Sequence, residues 1–244
     1  MSKFVLTNVR LFSGGCDLTA QSNKLELSSE AEDKDVTNFG SGGWKEVKGG
    51  LFSTEISGAG QWEAADASKV DDNRWSSLGG LGPFSAGPDD AAVGNLSYFT
   101  NALSGKYQLG GQVGDVAPWD GEWKGSWPLV RGLFAHSPGT PRTADGTGTG
   151  QQLGAVASGK YLYANLHVLS VAGTSTPTIT ARIESDADNT FASPTTVLTF
   201  TAATAVSGEV KRVAGAITDT WFRPAWTITG SSPSFLFVVT YGIA

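Results

Sequence analysis

Short apolar runs separated by turn-forming residues dominate the hydrophobic pattern of this 244-residue chain. In residues 23–37, Leu25 and Leu27 occupy one face of an alternating segment and acidic residues occupy the other, which predicts a half-exposed strand. Frequent glycine and proline residues supply turns between such runs. The chain is therefore predicted to be all-β. Further strands are predicted at residues 3–12, where the alternation shifts midway, and at 51–64, 95–109 and 128–136.

One segment, residues 66–80, has helical rather than alternating spacing, and a pair of glycines ends it. Its apolar stripe is expected to face the core, and an Asp71–Arg74 ion pair is expected on its surface. The stripe consists of Val70, Trp75 and Leu78.

The pattern changes at residues 137–151, which are rich in Pro, Gly and Thr and lack apolar periodicity. This composition predicts a linker. Beyond it, short β-rich runs recur about every 12–15 residues, which is typical of a β-sandwich or jelly roll. We therefore predict a first domain over residues 1–136 and a second, sandwich-like or jelly-roll-like domain over residues 152–244.

Composition indicates a chain that buries part of its surface in an assembly. Hydrophobic residues make up 40% of the chain and charged residues only 16%, against about 25% in an ordinary soluble domain. The single cysteine, Cys16, rules out an internal disulfide. No secretory signal or apolar run long enough to span a membrane is apparent, so we expect folding in a cytoplasm.

Charge is unevenly distributed along the sequence. Residues 1–139 hold 11 Lys/Arg against 17 Asp/Glu, whereas residues 140–244 hold 6 of each. An acidic half of this kind is expected to repel nucleic acid rather than to bind it.

Candidate catalytic and metal-binding motifs are incomplete. The glycine-rich residues 146–154 lack the third glycine of a dinucleotide-binding fingerprint. His136 and His167 are the only histidines and lie on different predicted strands, and the acidic residues 184–189 lack the EF-hand pattern. We therefore expect no catalytic residue, no metal site and no cofactor.

Three tryptophans, Trp119, Trp123 and Trp127, share one face of a predicted strand because their spacing is even. An exposed row would favour sugar binding or a protein interface, and a buried row would simply be core. The sequence leaves both interpretations open.

The segment DVTNFGSGGWKEVKGG, residues 35–50, is either a ligand cradle or an arm that becomes ordered against another subunit. It lacks the Gly-Lys-Ser/Thr element of a phosphate-binding loop. Because residues 38–50 also lack an apolar pattern that would fold alone, they are expected to be mobile in a free subunit.

Three stretches resemble the major tail tube proteins of long-tailed bacteriophages, and together they span slightly more than half of the chain. The carboxyl-terminal part, with FASPTTVLTF and SPSFLFVVTYGI, resembles the appended β-sandwich modules of phage structural proteins. The three stretches are EAEDKDVTNFGSGGWKEVKGGLFSTEISGAGQWEA, DASKVDDNRWSSLGG and YQLGGQVGDVAPWDGEWKGSWPLVRG.

This resemblance implies a tail-tube-type β-sandwich with one short helix and no enzymatic activity. Subunits of such a protein form rings, usually six-fold, that stack into a virion tail tube through which genomic DNA passes without specific binding. Implied partners are other copies of the chain, the tape-measure protein and the tail-terminator and tip proteins, with no membrane. The loop implied to contact an adjacent ring comprises Asn38, Phe39, Gly40, Trp44, Lys45 and Glu46.

The same resemblance suggests which acids face the tube lumen. Glu26, Glu30 and Glu32 share a strand face by their even spacing. The alternative is that this face is the solvated outside of the sandwich. The alternative function is a head-decoration protein or a carbohydrate-binding β-sandwich module, and an enzyme is a third possibility.

Overall fold

The computed structural model describes residues 5–244, and fourteen strands within that range belong to one antiparallel sheet. This confirms the all-β class. One α-helix, α1 (Val70–Ser77), and two 3₁₀ turns, Thr19–Gln21 and Phe39–Ser41, complete the regular structure of those residues. The strands are β1 Arg10–Ser13, β2 Cys16–Asp17, β3 Ser22–Asp35, β4 Val47–Gln61, β5 Leu81–Gly87, β6 Leu96–Leu109, β7 Pro118–Gly125, β8 Val130–His136, β9 Gly146–Thr147, β10 Gln151–Gln152, β11 Tyr161–Asp186, β12 Thr195–Thr199, β13 Ser207–Ala214 and β14 Trp221–Ile243.

The strand predicted over residues 3–12 differs from the structure. Its regular pairing begins only at Arg10, and residues 3 and 4 lie outside the described range. The shift in alternation at Val9 therefore marks the start of β1 rather than a bulge within a longer strand.

Strands β3, β4, β7 and β6 form a four-stranded antiparallel region in that spatial order. Along β4, Thr54 and Ile56 are buried while Glu55 is exposed. This alternation is typical of a sheet with one covered face and one solvated face. The covered face packs on a core that includes Trp119 and Trp123, so these two members of the tryptophan row are buried. Trp127, the third member, lies beyond the end of β7 and is half-buried.

The apolar stripe predicted for the helix is wrong in two of its three positions. Val70 is buried, but Trp75 is 72% exposed and Leu78 is 46% exposed. Arg74 faces the core instead, because position i+4 lies beneath Val70 on the same helix face. Its guanidinium lies 3.8 Å from the Trp123 ring centroid.

The expected Asp71–Arg74 ion pair is also absent from the described residues. Arg74 donates to the backbone carbonyls of Lys106 and Glu122, at 2.9 and 3.2 Å. Asp71 accepts hydrogen bonds from the Trp62 indole at 3.0 Å and the Tyr107 hydroxyl at 2.6 Å. These contacts hold α1 against the covered face of the four-stranded region.

The carboxyl-terminal part is built on a long ribbon of β11 paired with β14. Register shifts interrupt the pairing between Val168 and Thr178, and the two ends of the ribbon pack face to face around one core. The Tyr241 hydroxyl, at one end, donates to the Phe222 carbonyl at the other, at 3.0 Å. This arrangement gives the two layers expected of a sandwich.

The sheet crosses the predicted boundary between the two domains. Strand β8 pairs with β14, and Gly132 lies so close to β14 that an added Cβ would stand 2.1 Å from the Tyr241 carbonyl oxygen. The first half of β11 is buried on both faces, as expected for a strand between two layers. The division into domains therefore remains a prediction, and the two parts share hydrogen-bonded strands.

Residues 137–151, predicted as a linker, contact β14 along much of their length. Arg142 and Phe235 exchange two backbone hydrogen bonds, and β9 pairs with Ala225 and Trp226. The Trp226 indole donates to the Ala144 carbonyl at 3.1 Å. The segment is thus an extra edge of the second layer, which differs from a free linker.

A buried polar network joins the two parts at His167. Its Nδ1 lies 2.6 Å from the Gly14 carbonyl, so Nδ1–H donates and Nε2 accepts from the Ser85 hydroxyl at 2.8 Å. Asn165 donates to the Phe84 carbonyl at 3.0 Å. Burial of the ring disfavours the charged form, so the neutral imidazole is the form that fits this network.

Both histidines are expected to make the folded chain sensitive to acid. Burial lowers the pKa of His136 and of His167 to about 4, from an ordinary value of 6.5. The folded state therefore binds fewer protons than the unfolded state between these values. The stabilisation is complete above about pH 6.5 and is lost as the pH falls towards 4, by about 3 kcal/mol for each histidine.

Urea unfolding at a series of pH values between 7 and 4.5 measures this loss. A His136→Asn variant should lose about half of the pH dependence, because its amide can replace the Nδ1–H that donates to the Phe237 carbonyl but cannot titrate. A free energy of unfolding that stays constant over this range, or a variant with the wild-type slope, would contradict the assignment.

Candidate assembly surfaces

The hairpin of β3 and β4 extends beyond the end of β7 as an arm, residues 28–54. Strand β7 pairs with β4 only between Glu55 and Gln61, so the arm has no third strand among the described residues. Almost every side chain of the arm is exposed, and Thr54 at its base is buried. A hairpin this long without a core of its own is typical of a segment that contacts another molecule.

The tip of the arm, residues 36–46, is a structured turn. The Asn38 side chain accepts from the Gly40 N–H at 2.8 Å, and the Ser41 hydroxyl accepts from the Asn38 N–H at 3.1 Å. Gly42 and Gly43 have φ values of 62° and 87°, which glycine adopts more readily than other residues. The loop predicted over residues 38–50 is thus shorter, because residues 47–50 belong to β4.

Two aromatic side chains stand free on this tip. Phe39 is 111% exposed relative to an extended reference chain and Trp44 is 80% exposed. Lys45 and Glu46 follow them, and the Thr37 hydroxyl accepts from the Glu46 N–H at 2.9 Å to close the turn. The Thr37 hydroxyl and N–H both hold the pKa of Asp35 below its ordinary value. The predicted contact residues are therefore grouped on one small projecting surface.

The uncovered face of the four-stranded region, here called the charged face, carries acids and lysines in alternation. Cross-strand pairing places Glu26 beside Ser57, Ser57 beside Glu122 and Glu122 beside Lys106. Lys106 contacts Asp120 at 3.3 Å, which raises the pKa of Lys106. The charged residues of this face are Lys24, Glu26, Glu30, Glu32, Lys34, Lys48, Glu55, Lys106, Asp120, Glu122 and Lys124.

Glu26, Glu30 and Glu32 all lie exposed on this face of β3. Glu26 contacts Lys24 at 3.3 Å, and Glu32 pairs with Lys34. Contacts between neighbours two apart require a common face. The acids and lysines nearly balance, so the acidity of the first half of the sequence is not concentrated here.

Some apolar side chains are exposed in addition to those of the arm tip. Leu51 and Phe52 are each 81% exposed. Val113 and Val116, in the turn between β6 and β7, are 109% and 69% exposed. The adjacent apolar pair at 51 and 52 breaks strand alternation, which is the signal that could have identified it.

The other candidate sites of the sequence are dispersed or occupied. His136 and His167 lie in separate buried contacts, and Asp188 accepts from the Thr190 N–H and hydroxyl at 2.8 and 2.6 Å within its own turn. Across residues 5–244, no three His, Cys, Asp or Glu side chains are grouped to hold a metal ion. In the same range, no helix has the length and hydropathy to cross a membrane.

No protein-family model matches the chain, and no curated protein matches it. A chain from the virion of the native gene transfer agent particle is 22% identical, with a TM-score of 0.43 over 53% of this chain and 98% of its own. A chain from the tail of the empty gene transfer agent particle is 24% identical, with a TM-score of 0.38 over 46% and 81%.

The SPP1 Dit protein, described as a hub of the adsorption apparatus of phages that infect Gram-positive hosts, is 11% identical. Its TM-score is 0.32 over 97% of this chain and 99% of its own. These three solved structures are virion and tail proteins, and at these TM-scores the similarity assigns the chain no family.

Proposed function

We propose that this chain is a structural subunit of a phage tail tube, and that it stacks as rings, six-fold by resemblance, around a lumen through which genomic DNA passes. The observation that carries the proposal is the four-stranded region, which has one covered face, one charged face and a projecting arm. Its sequence resemblance to tail tube proteins supports the same role. In this role the chain has no catalytic residue and acts in the virion tail, after assembly in the host cytoplasm.

The outer edge of β3 supports self-association. Strand β3 pairs with β4 on one side, and within residues 5–244 it has no partner on the other. A long exposed edge strand invites pairing with another chain, and closure into a barrel removes such edges. Copies of this chain are therefore the first partner, and the tape-measure, tail-terminator and tip proteins are the proposed partners along and at the ends of the tube.

The arm tip is proposed to dock on the adjacent ring. Phe39 and Trp44 present aromatic area that the chain itself leaves in water, and aromatic anchors of this kind dominate protein interfaces. The turn is closed by its own hydrogen bonds. The tip is therefore preformed, and docking would not have to fold a flexible loop.

The charged face is proposed to line the lumen. A dense, hydrated face with nearly balanced charge offers DNA little net attraction, whereas a basic face would bind phosphate. The lysines next to Glu26 and Glu32 are held in ion pairs on the same strand. Glu30 lies between them.

Negative-stain microscopy of the purified protein tests the function. Tubes or rings are expected. Discrete monomers or trimers at all protein and salt concentrations would overturn the proposal and favour the decoration or sugar-binding alternative. Trp119 and Trp123 are buried, so they would not supply an exposed aromatic row for sugar binding.

A Glu30→Lys/Glu32→Lys variant tests the lining. Tubes of this variant should protect a short DNA duplex from nuclease digestion. The amount of protected DNA should be about tenfold larger than in wild-type tubes and should fall steeply with salt concentration. The matched control is Asp33→Lys/Asp89→Lys, which changes the net charge by the same amount. Asp33 lies on the opposite face of β3, and Asp89 lies in the β5–β6 connection. Protected DNA in the control alone, or in neither variant, would place the charged face outside.

A further inference from the structure

The turn between β6 and β7, here called the lower loop (residues 110–117), carries unpartnered apolar side chains at one end of the four-stranded region. Val113 and Val116 are exposed, and so is Leu109 just before them. Gly111 and Gly114 have φ values of 127° and 101°, which fix the turn. The loop is therefore a shaped apolar projection.

The lower loop lies at the end opposite to the arm. Leu109 pairs with Trp119, and Gln61 pairs with Pro118, so the loop adjoins the end of β4. The arm tip joins the start of β4 to the end of β3. In an antiparallel sheet these positions are opposite ends of the same strands.

An apolar notch lies where the arm leaves the body. It is an open cavity of about 530 Å³ between the arm and the β7–β8 connection. Phe52 contributes from the arm side and is largely exposed. The body side is lined by Trp127, Pro128 and Leu129.

The border of the notch and the lower loop carry opposite charges. The Arg212 guanidinium lies beside the notch, 4.8 Å from the ring centroid of Trp127, which lines it, and Arg212 is exposed. Asp115 is the charged residue of the lower loop. Neither side chain forms an ion pair with another of the described residues.

We propose that the lower loop of a second copy inserts into the notch, with Asp115 facing Arg212 of its neighbour. This contact rests on the proposed function and names the surfaces through which successive copies stack. Complementary patches at opposite ends of one molecule produce a head-to-tail contact, which generates an open stack when the rotation between copies does not close a ring. The arm of one copy would then run beside the body of the next.

A charge swap tests the pairing. Asp115→Arg and Arg212→Asp should each raise the protein concentration needed for pelletable tubes about tenfold, and the double variant should restore it to within about threefold of wild type. Asp89→Arg, an exposed reversal elsewhere, should leave it unchanged. Failure of the double variant to recover, with all variants unfolding at the wild-type temperature, would overturn the contact.

Cross-linking tests the position. Phe52→Cys and Val113→Cys subunits, mixed and assembled, should be joined by a short bis-maleimide, whereas Phe52→Cys mixed with Val206→Cys should not. Cys16 can remain, because burial raises the pKa of its thiol to about 12. Tubes that form without this cross-link overturn the contact and leave the tube function standing. Wild-type protein that forms no multimer overturns both.

Discussion

A chain cut after Gly150 is expected to be insoluble or unfolded, because the two parts share strands and core. Removal of residues 151–244 would expose Phe12 and Phe134, which pack with Val238, and Phe99, which packs with Tyr163. It would also leave β8 without its β14 partner.

The free energy lost with this burial is comparable to the stability of a whole domain. Full burial of one phenylalanine contributes about 1.5–3 kcal/mol, so the loss of cover over Phe12, Phe99 and Phe134 costs about 5–9 kcal/mol. A whole domain of this kind is stable by only about 5–15 kcal/mol. The buried network of His167 is lost in addition.

Coexpression supplies the control. Fragments 1–150 and 151–244, each aggregated when made alone, should copurify as a soluble complex when made together, because β8 can then pair with β14. A soluble fragment 1–150 with a sharp thermal transition of its own would show instead that the carboxyl-terminal part is a separable module.

A Phe39→Ser/Trp44→Ser variant is expected to lose tube formation while its free subunit keeps wild-type stability. Both side chains are exposed in the subunit, so their removal costs the fold little. Each aromatic buried at an inter-ring contact contributes about 2–3 kcal/mol. The concentration needed for assembly should therefore rise by about a thousandfold or more.

Sedimentation of assembled protein and thermal unfolding of the free subunit measure the two effects. Trp75→Ser is the matched control, because Trp75 is 72% exposed on α1 and lies outside the arm. It should change neither quantity. Normal tubes from the double variant, or equal loss from the control, would exclude the arm tip as the anchor between rings.

Several local features could be read directly from residue types. The alternation of Leu25 and Leu27 with acids placed β3 correctly as a half-exposed strand, because a strand with one solvated face repeats every second residue. Gly42 and Gly43 belong to the glycine-rich segment that the sequence identifies as a loop, and their backbone angles suit glycine. The charged face followed from the even spacing of Glu26, Glu30 and Glu32.

The helix shows why periodicity alone was insufficient. Val70, Trp75 and Leu78 fit an apolar stripe, yet Arg74 occupies the core position. Burial of a guanidinium requires acceptors that no local pattern reveals, and the carbonyls of Lys106 and Glu122 come from two distant strands. Trp75 is left exposed as a result.

By itself the sequence determined the all-β class, the half-exposed strands and the glycine-rich loop, because each depends on neighbours within a few residues. Only the tertiary structure decided that β8 and β14 join the two parts, that residues 137–151 form an edge, and that lysines offset the acids of the charged face. Such features depend on which strands pair across a hundred residues or so. That pairing is fixed by the burial of both faces of β11, a property of the assembled layers.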